Sequence, residues 1–564
     1  MGRLRVPDLG LRGRAVGASW ATGLMVLVVS VLGLWPFAQG LWRGEVPGQQ
    51  DIPIDGGHGL YLYTLFGEVV AGRTSLLQTD AMWFPTGRPL LLVVQNFVDA
   101  ALSQPFFGLF APQTALALFS VLVLVSNGLA GGWAGAKIGG RWGAVAAALV
   151  MVMSPYVWGE VQTGRTAQAL MAPMVLAVGC AWETAATGRG GWKAGVWLGI
   201  TGLCYWFYAV FTAVVVGGLL FGAAWERGRG MVRQLAIAAV VSAAIAAPFV
   251  IFSGLNWGEM AGTALLVNPI PNATQLLGGW FWLPHSRIVA YLPQALFGIG
   301  LVACVGAPRG RAVGLAIAAG ILCWMALGET TQVWGHSVPT PLWLLKQLPG
   351  FSRFWWPHRA LAGAQVALAV LAALAMAQPN WRRAVATVGL VLVVGQGVGV
   401  PGPLTTWRVP PKPVWVDELP PGALLFLPML DPEVGKARFA EWTWVRRPLV
   451  NGMSMWDEYL WPESWREWAK GQPLVSALLQ VEKARPHGRK KPNPHSFKVR
   501  VTNAVEVPSV PTDAAARLAA DGVGSIVAEM RRTPPASLAI LEAAVGPGTC
   551  EPSGRTCWWK LELP

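Results

Sequence analysis

Apolar residues in this chain come in long unbroken runs rather than in alternation. Up to position 400, such runs cover residues 18–41, 115–134, 142–156, 166–186, 235–252, 289–305, 312–327, 360–377 and 384–400. A helix rising about 1.5 Å per residue needs about 20 apolar residues to cross a hydrocarbon core about 30 Å thick. The runs therefore predict membrane-spanning helices. Two further stretches are less plain. Residues 90–110 are apolar but hold Asn96, Asp99, Gln104 and Pro105, and residues 194–225 are too long for one upright helix.

Charge decides how to read both. Short loops with Lys137 and Arg141, with Arg189 and Lys193, with Arg227, Arg229 and Arg233, with Arg309 and Arg311, and with Arg382 and Arg383 take turns with longer, less densely basic ones. Under the positive-inside rule the basic loops mark the cytoplasmic side. That parity makes 90–110 interfacial or re-entrant, and makes 194–225 a hairpin of two short helices turning near positions 205–208. The count becomes about eleven spans, with the N-terminus inside and the C-terminus outside. Arg3, Arg5, Arg12 and Arg14 precede the first run as they would in a signal peptide. That run, however, exceeds a secretory core of about 7–15 residues, and no A-x-A site follows it. It reads as an uncleaved anchor.

Past residue 400 the pattern breaks. Residues 401–564 are rich in proline and charge, contain no run of membrane length, and include strand-like pieces at 423–427 and 497–501. The expected organisation is a transmembrane domain over 1–400 with a long first outer loop at 42–90. An extracytoplasmic soluble α/β or α+β domain over 401–564 follows it. Of six cysteines, Cys180, Cys204, Cys304 and Cys323 lie in apolar runs and read as small core residues. Cys550 and Cys557 flank the loop EPSGRT in the exported tail, where a disulfide is chemically permitted and two reduced thiols are the alternative.

Composition sharpens the class. The chain is 54% hydrophobic and 13% charged, against about 25% charged in ordinary soluble domains. Thirty-one Trp against seven Tyr suit the bilayer–water interface. The net charge of +14 comes from Lys and Arg scattered singly between apolar runs, so it reflects membrane topology and not a nucleic-acid surface. The one dense basic cluster, residues 483–495, reads as a solvated loop or as a contact with anionic headgroups. No Walker loop, G-x-S-x-G elbow or HExxH motif is present, which removes support for ATP hydrolysis and zinc proteolysis.

The chemistry-bearing residues concentrate in a few loops. The first outer loop contains Asp51, Asp55, His58, Glu68 and Asp80. Its middle, DGGHGLYLYTLFGEVVAGR, is an amphipathic stretch suited to the membrane surface, and its end reads TDAMWFPTGRPLL. Further on come QPFFGLFAP, then SPY and GEVQTGRTAQAL, then LPGFSRFWWPHRALAGAQVALAVLAAL, and last the soluble tail. In this order the chain resembles the large polytopic bacterial membrane glycosyltransferases of the GT-C class, in layout more than in any single motif. The resemblance covers roughly residues 51–400. It implies an enzyme of the cytoplasmic (inner) membrane that takes sugar from a polyprenyl-phosphate donor at the outer leaflet and passes it to a glycan, lipid or protein acceptor. It also implies an acidic residue in the first outer loop, which maps onto Asp55.

The residues themselves allow that chemistry. An acceptor hydroxyl attacking an anomeric carbon must lose a proton, which a carboxylate can accept, and the departing lipid phosphate needs a cation. His58 stands where the class often has a second carboxylate, and reads as base, metal ligand or bystander. Asp80 reads as an acceptor-positioning group, as a partner of Asp55 for a divalent cation such as Mg or Mn, or as a turn cap before Pro85 and Gly87. Glu160 and Arg165 form either a structural ion pair or a site where Arg165 holds donor phosphate or sugar. Arg353, His358 and Arg359, set among Trp355 and Trp356, read as phosphate ligands or as an interfacial anchor. A transporter or flippase is the alternative function, and a non-catalytic assembly factor of the same fold is another. Transport is disfavoured because ionisable residues crowd the loops and not the mid-membrane.

Overall fold

The computed structural model describes residues 20–32, 40, 43, 45–47, 56–89, 96–255, 292, 294–305, 309–333, 335–348, 351, 354, 356–378, 381–398, 406–408, 411–452, 461–484 and 508–563. Its first helix is α1 (Trp20–Leu32), followed by the short strand β1 (Val46–Pro47) and by α2 (Gly56–Val70). Then come α3 (Phe97–Leu109), α4 (Pro112–Val152), α5 (Pro155–Gln162), α6 (Thr166–Ala169), α7 (Ala172–Thr187), α8 (Gly191–Cys204), α9 (Trp206–Arg227) and α10 (Gly230–Leu255). A second set follows with α11 (Gln294–Val305), α12 (Arg309–Ala326), the hairpin β2 (Thr330–Val333) and β3 (His336–Pro339), α13 (Pro341–Lys346), α14 (Ala360–Ala377) and α15 (Trp381–Val398). Among the described residues, six stretches are long and apolar enough to cross a membrane.

The helix ends follow from local sequence. The helix α4 folds back at Gly139 and Gly140, where Gly140 takes φ +62° beside Lys137 and Arg141, so two helices meet at the basic turn. The break between α8 and α9 falls at Tyr205, whose backbone is extended, within the stretch where a hairpin turn was expected. The helix α3 has 13 residues with Pro105 inside it. At about 1.5 Å per residue it is too short to cross.

One helix forms the axis of the bundle. The helix α14 is apolar on every side and nearly every residue of it is buried, as a helix enclosed by other helices must be. It packs on α4, where Gln365 Nε2 donates to the Val150 carbonyl at 2.8 Å, and on α12 through Gly363, whose Cβ position would lie 2.8 Å from Leu322. The helix α10 is the reverse case. Little of it is buried, which suits a face turned to lipid.

The basic turns gather at one end of this bundle. Glu183 pairs with both Lys137 and Lys193, Glu226 holds Arg311 at 3.0 Å, and Arg227 donates to the Ala186 carbonyl.

After the short strand β4 (Thr406–Trp407), which pairs antiparallel with β1, the C-terminal residues form a small α/β unit built on β5 (Ala423–Leu427), β6 (Val523–Glu529), β7 (Thr549–Cys550) and β8 (Thr556–Lys560). The strand order is β5-β6-β8-β7, with β5 parallel to β6 and the other pairs antiparallel. All of β5 and β6 is buried beneath α16 (Pro432–Val445), α17 (Glu463–Gly471), α18 (Pro473–Ala484), α19 (Ala514–Ala520) and α20 (Pro535–Val545). Cys550 and Cys557 face each other on β7 and β8 and form a disulfide, with Cα atoms 4.0 Å apart. The expected strand at 423–427 is β5. The one expected at 497–501 lies outside the described residues, as do residues 485–495 of the basic cluster.

This unit does not have a core of its own. Tyr61, Leu62 and Leu65 of α2, with Ala81, Met82 and Trp83 after it, belong to the same apolar cluster as the sheet. Tyr61 meets the rings of Phe439 and Trp442 edge-on at 4.7 and 4.8 Å. Trp83 lies flat on Gly452, where any Cβ would fall 1.7 Å from its indole, and packs on Trp465 at 5.1 Å. Glu68 of α2 holds Arg446 at 3.1 Å. The first loop is thus wedged between the bundle and the α/β unit.

Candidate functional site

At the bundle end away from the basic turns, a buried charged cluster is assembled from three separate helix ends. Ser154 caps α5 by accepting from the Val157 amide, with Pro155 in the first turn. The other end of α5 closes with Gly164 at φ +79°, the Arg165 amide bonding back to the Glu160 carbonyl and the Gly164 amide to that of Val161. This double bond-back at a left-handed glycine is the Schellman closure, and it folds Arg165 over Glu160. Their side chains pair at 3.1 Å, both buried. The loop that follows is pinned by Asn127 of α4, which donates to the Ala169 carbonyl at 2.8 Å and accepts from the Met171 amide at 2.9 Å.

Arg359 enters from the turn at the N-terminus of α14, with its Nε 3.9 Å from Glu160 Oε1. It donates to the Tyr205 hydroxyl at the α8–α9 break and stacks over the Trp356 ring at 5.4 Å. Arg165 faces the same indole at 5.6 Å. Tyr156 and Tyr208 share a hydroxyl–hydroxyl bond of 2.8 Å, and Tyr208 donates to the Gln168 carbonyl. His358 is buried beside them. A cation at a helix N-terminus opposes the helix dipole, and the Glu160 carboxylate offsets that cost.

The first-loop helix reaches this cluster. A Cβ on Gly59 would lie 3.4 Å from the Gly164 carbonyl, so the N-terminal turn of α2 sits against the Arg165 loop. His58, in that turn, is buried with its ring 5.3 Å from Phe439. Asp55, the residue immediately before α2, lies outside the described residues, as do Asp51, Arg353 and Trp355. Asp80 is exposed, twenty-two positions beyond His58, on the turn where the Ala81 carbonyl accepts from Tyr61. Among the described residues no three His, Cys, Asp or Glu side chains converge as metal ligands.

One buried acid was not singled out from sequence. Asp99 of α3 is fully buried, and its Oδ2 accepts from Tyr63 at 2.8 Å and from Asn96 at 2.9 Å. Its Oδ1 has no hydrogen-bond partner among the described residues. Burial pushes this carboxyl up to about 7, against the pull of those donors. The signal was legible as an ionisable residue within an apolar stretch. Tyr205 and Tyr208 had been read only as marking a turn.

No family model matches the sequence, and no curated protein matches it. Solved structures do. The structure of ArnT from Cupriavidus metallidurans, bound to undecaprenyl phosphate, superposes with a TM-score of 0.51 over 97% of this chain and 98% of that one, at 14% identity. The chain has a GT-C-type fold. The arabinofuranosyltransferase AftD from Mycobacteria superposes with a TM-score of 0.55 at 14% identity, over 96% of this chain. The chain spans only 40% of the length of that AftD structure. The GT-C-type architecture expected from the order of loops and spans is therefore the architecture present.

Proposed function

We propose that this protein is a membrane glycosyltransferase that moves a sugar from a polyprenyl-phosphate-linked donor to an acceptor at the outer face of the cytoplasmic membrane. The observation that carries the reading is the convergence of Glu160, Arg165 and Arg359 in one buried cluster, with the N-terminal turn of α2 beside it. In the ArnT structure the same fold holds undecaprenyl phosphate.

The arrangement suits the reaction. Asp55 immediately precedes that turn of α2, and it takes the proton of the attacking acceptor hydroxyl. The bond from the anomeric carbon to the donor phosphate breaks as the new glycosidic bond forms. Charge then builds on the leaving phosphate, and Arg165 and Arg359 stabilise it by paired N–H donors in a site shielded from water. Glu160 and Tyr205 hold the two guanidiniums in place. Asp80, with Asp55, would be the pair to hold a divalent cation such as Mg or Mn, which would then help carry the charge of the leaving phosphate.

The test is transfer of radiolabelled sugar from synthetic polyprenyl-phosphate sugars by purified full-length protein in lipid. Transfer to any glycan, lipid or protein acceptor supports the reading. Intact donor across a panel of sugars and acceptors, with correctly folded protein, opposes it.

A further inference from the structure

A second site lies away from that cluster, at the seam where the first loop meets the α/β unit. A cleft of about 430 Å³ is lined by Phe84 from the loop and by Leu419, Pro421, Gly422, Arg446, Arg447 and Gly522. The volume falls in the lower part of the range of small-ligand sites, about 300–1,000 Å³. Phe84 is fixed there because its amide donates to the Leu449 carbonyl at 2.9 Å. Gly522, at φ +92°, makes room for the ring, since a Cβ would lie 3.2 Å from Phe84 Cζ.

The charges in this cleft do not balance. Among the described residues, Glu68 alone pairs with any of three nearby guanidiniums, binding Arg73 bidentately and Arg446 at 3.1 Å. Arg447 pairs with no carboxylate among the described residues. Its donors are held by the backbone carbonyls of Pro420 and, at 3.1 Å, Leu419. Those bonds fix the guanidinium plane, and desolvation already pulls its basicity down. A half-buried arginine held by backbone carbonyls at the wall of a cleft, with no carboxylate partner among the described residues, is a preset anion ligand. The apolar part of the wall is a phenyl ring, a leucine, an alanine and two prolines, which match the apolar face of a sugar ring.

We propose that this seam cleft binds a saccharide bearing a carboxylate or phosphate group, the anion on Arg447 and Arg446 and the ring against Phe84. If the glycosyltransferase reading holds, the ligand is the anionic part of the acceptor, held by the element that also positions α2. The binding does not depend on that reading and is measured without turnover.

The experiment is equilibrium calorimetry on full-length protein in nanodiscs, titrated with glucose 6-phosphate, glucuronate, glucose and inorganic phosphate. The two charged sugars should bind, with affinity falling as salt rises, and glucose should bind at least tenfold more weakly. Arg447→Gln should cost about tenfold or more in affinity for the charged sugars, with Arg447→Lys between the two. Arg446→Gln, which leaves the carbonyl bonds of Arg447 intact, should also weaken binding and serves if Arg447→Gln fails to fold. Equal affinity for glucose, unchanged binding in a folded arginine variant, or inorganic phosphate binding as tightly as glucose 6-phosphate would overturn the proposal. A glycosyltransferase assay that fails while charged sugars bind would leave this site standing and remove only its role in transfer.

Discussion

Asp55 stands in sequence immediately before Gly56 and Gly57, where α2 begins, and we propose it as the base because a helix N-terminus favours a negative charge beside it. Asp55→Asn should therefore abolish most turnover, a loss on the order of 3 kcal/mol or more of transition-state stabilisation, with unchanged abundance in the membrane. Near-normal transfer would pass the role to His58 or Asp80. Arg165→Ala and Arg359→Ala should instead weaken donor binding along with turnover, read as a rise in donor KM. Asp99 yields a prediction of a different kind. In an unfolded chain its carboxyl titrates near 4, whereas in the folded protein burial holds it neutral up to about 7. The folded state thus binds the extra proton between those values, so stability falls as pH rises from about 4 to about 7 and is level beyond. Asp99→Asn should flatten that slope. Thermal unfolding midpoints at pH 4 and pH 8 check it, with the variant gaining on the natural protein at pH 8. An equal gap at both pH values would show that Asp99 does not titrate in this window.

At the scale of elements, the first loop is held by contacts that no local period encodes. Apolar runs foretold the six described stretches that are long enough to span, and the stretch around 205–208 foretold the break at Tyr205, because both are written in neighbouring residues. That Tyr61 of α2 belongs to the core of a sheet whose first strand begins only at Ala423 is not written there. Tyr61 and Trp83 read as surface anchors until Phe439, Trp442 and Gly452 are brought against them. The candidate site shows the same division. Glu160 and Arg165 are five residues apart and their pairing was visible, but Arg359 and Tyr205 join them only through tertiary packing. Gly452 tests the wedge directly. A methyl group there falls inside the volume of the Trp83 indole, and such overpacking costs about 1–3 kcal/mol or more. Gly452→Ala should expel Trp83, expose the turn at residues 71–80 to protease and lower turnover. Retained protease resistance together with full activity would show that α2 keeps its place without the α/β unit.

At the scale of the molecule, we propose an orientation from where the charges collect. A membrane protein retains Lys and Arg in short loops on the cytoplasmic side. Here the loops bearing Lys137, Lys193 and Arg311 are not merely alternate in sequence but drawn together at one bundle end by Glu183 and Glu226. The cluster of Glu160, Arg165 and Arg359 forms at the opposite ends of the same helices, α2 lies against it, and the α/β unit clamps α2. One assignment of sides then fixes every other. With the basic turns in the cytoplasm, the proposed orientation puts the candidate site and the α/β unit outside, the side the proposed reaction requires. The disulfide between Cys550 and Cys557 belongs to that side, since thiols in the cytoplasm are kept reduced. Two measurements check the assignment independently. An alkaline phosphatase fusion after residue 400 should be active and a green fluorescent protein fusion there dark, because phosphatase folds only after export. Non-reducing peptide mass spectrometry should find Cys550 and Cys557 linked. A fluorescent cytoplasmic fusion with both thiols free would invert the molecule, and with it would place the arginine cluster on the side where polyprenyl-linked sugars are made rather than used.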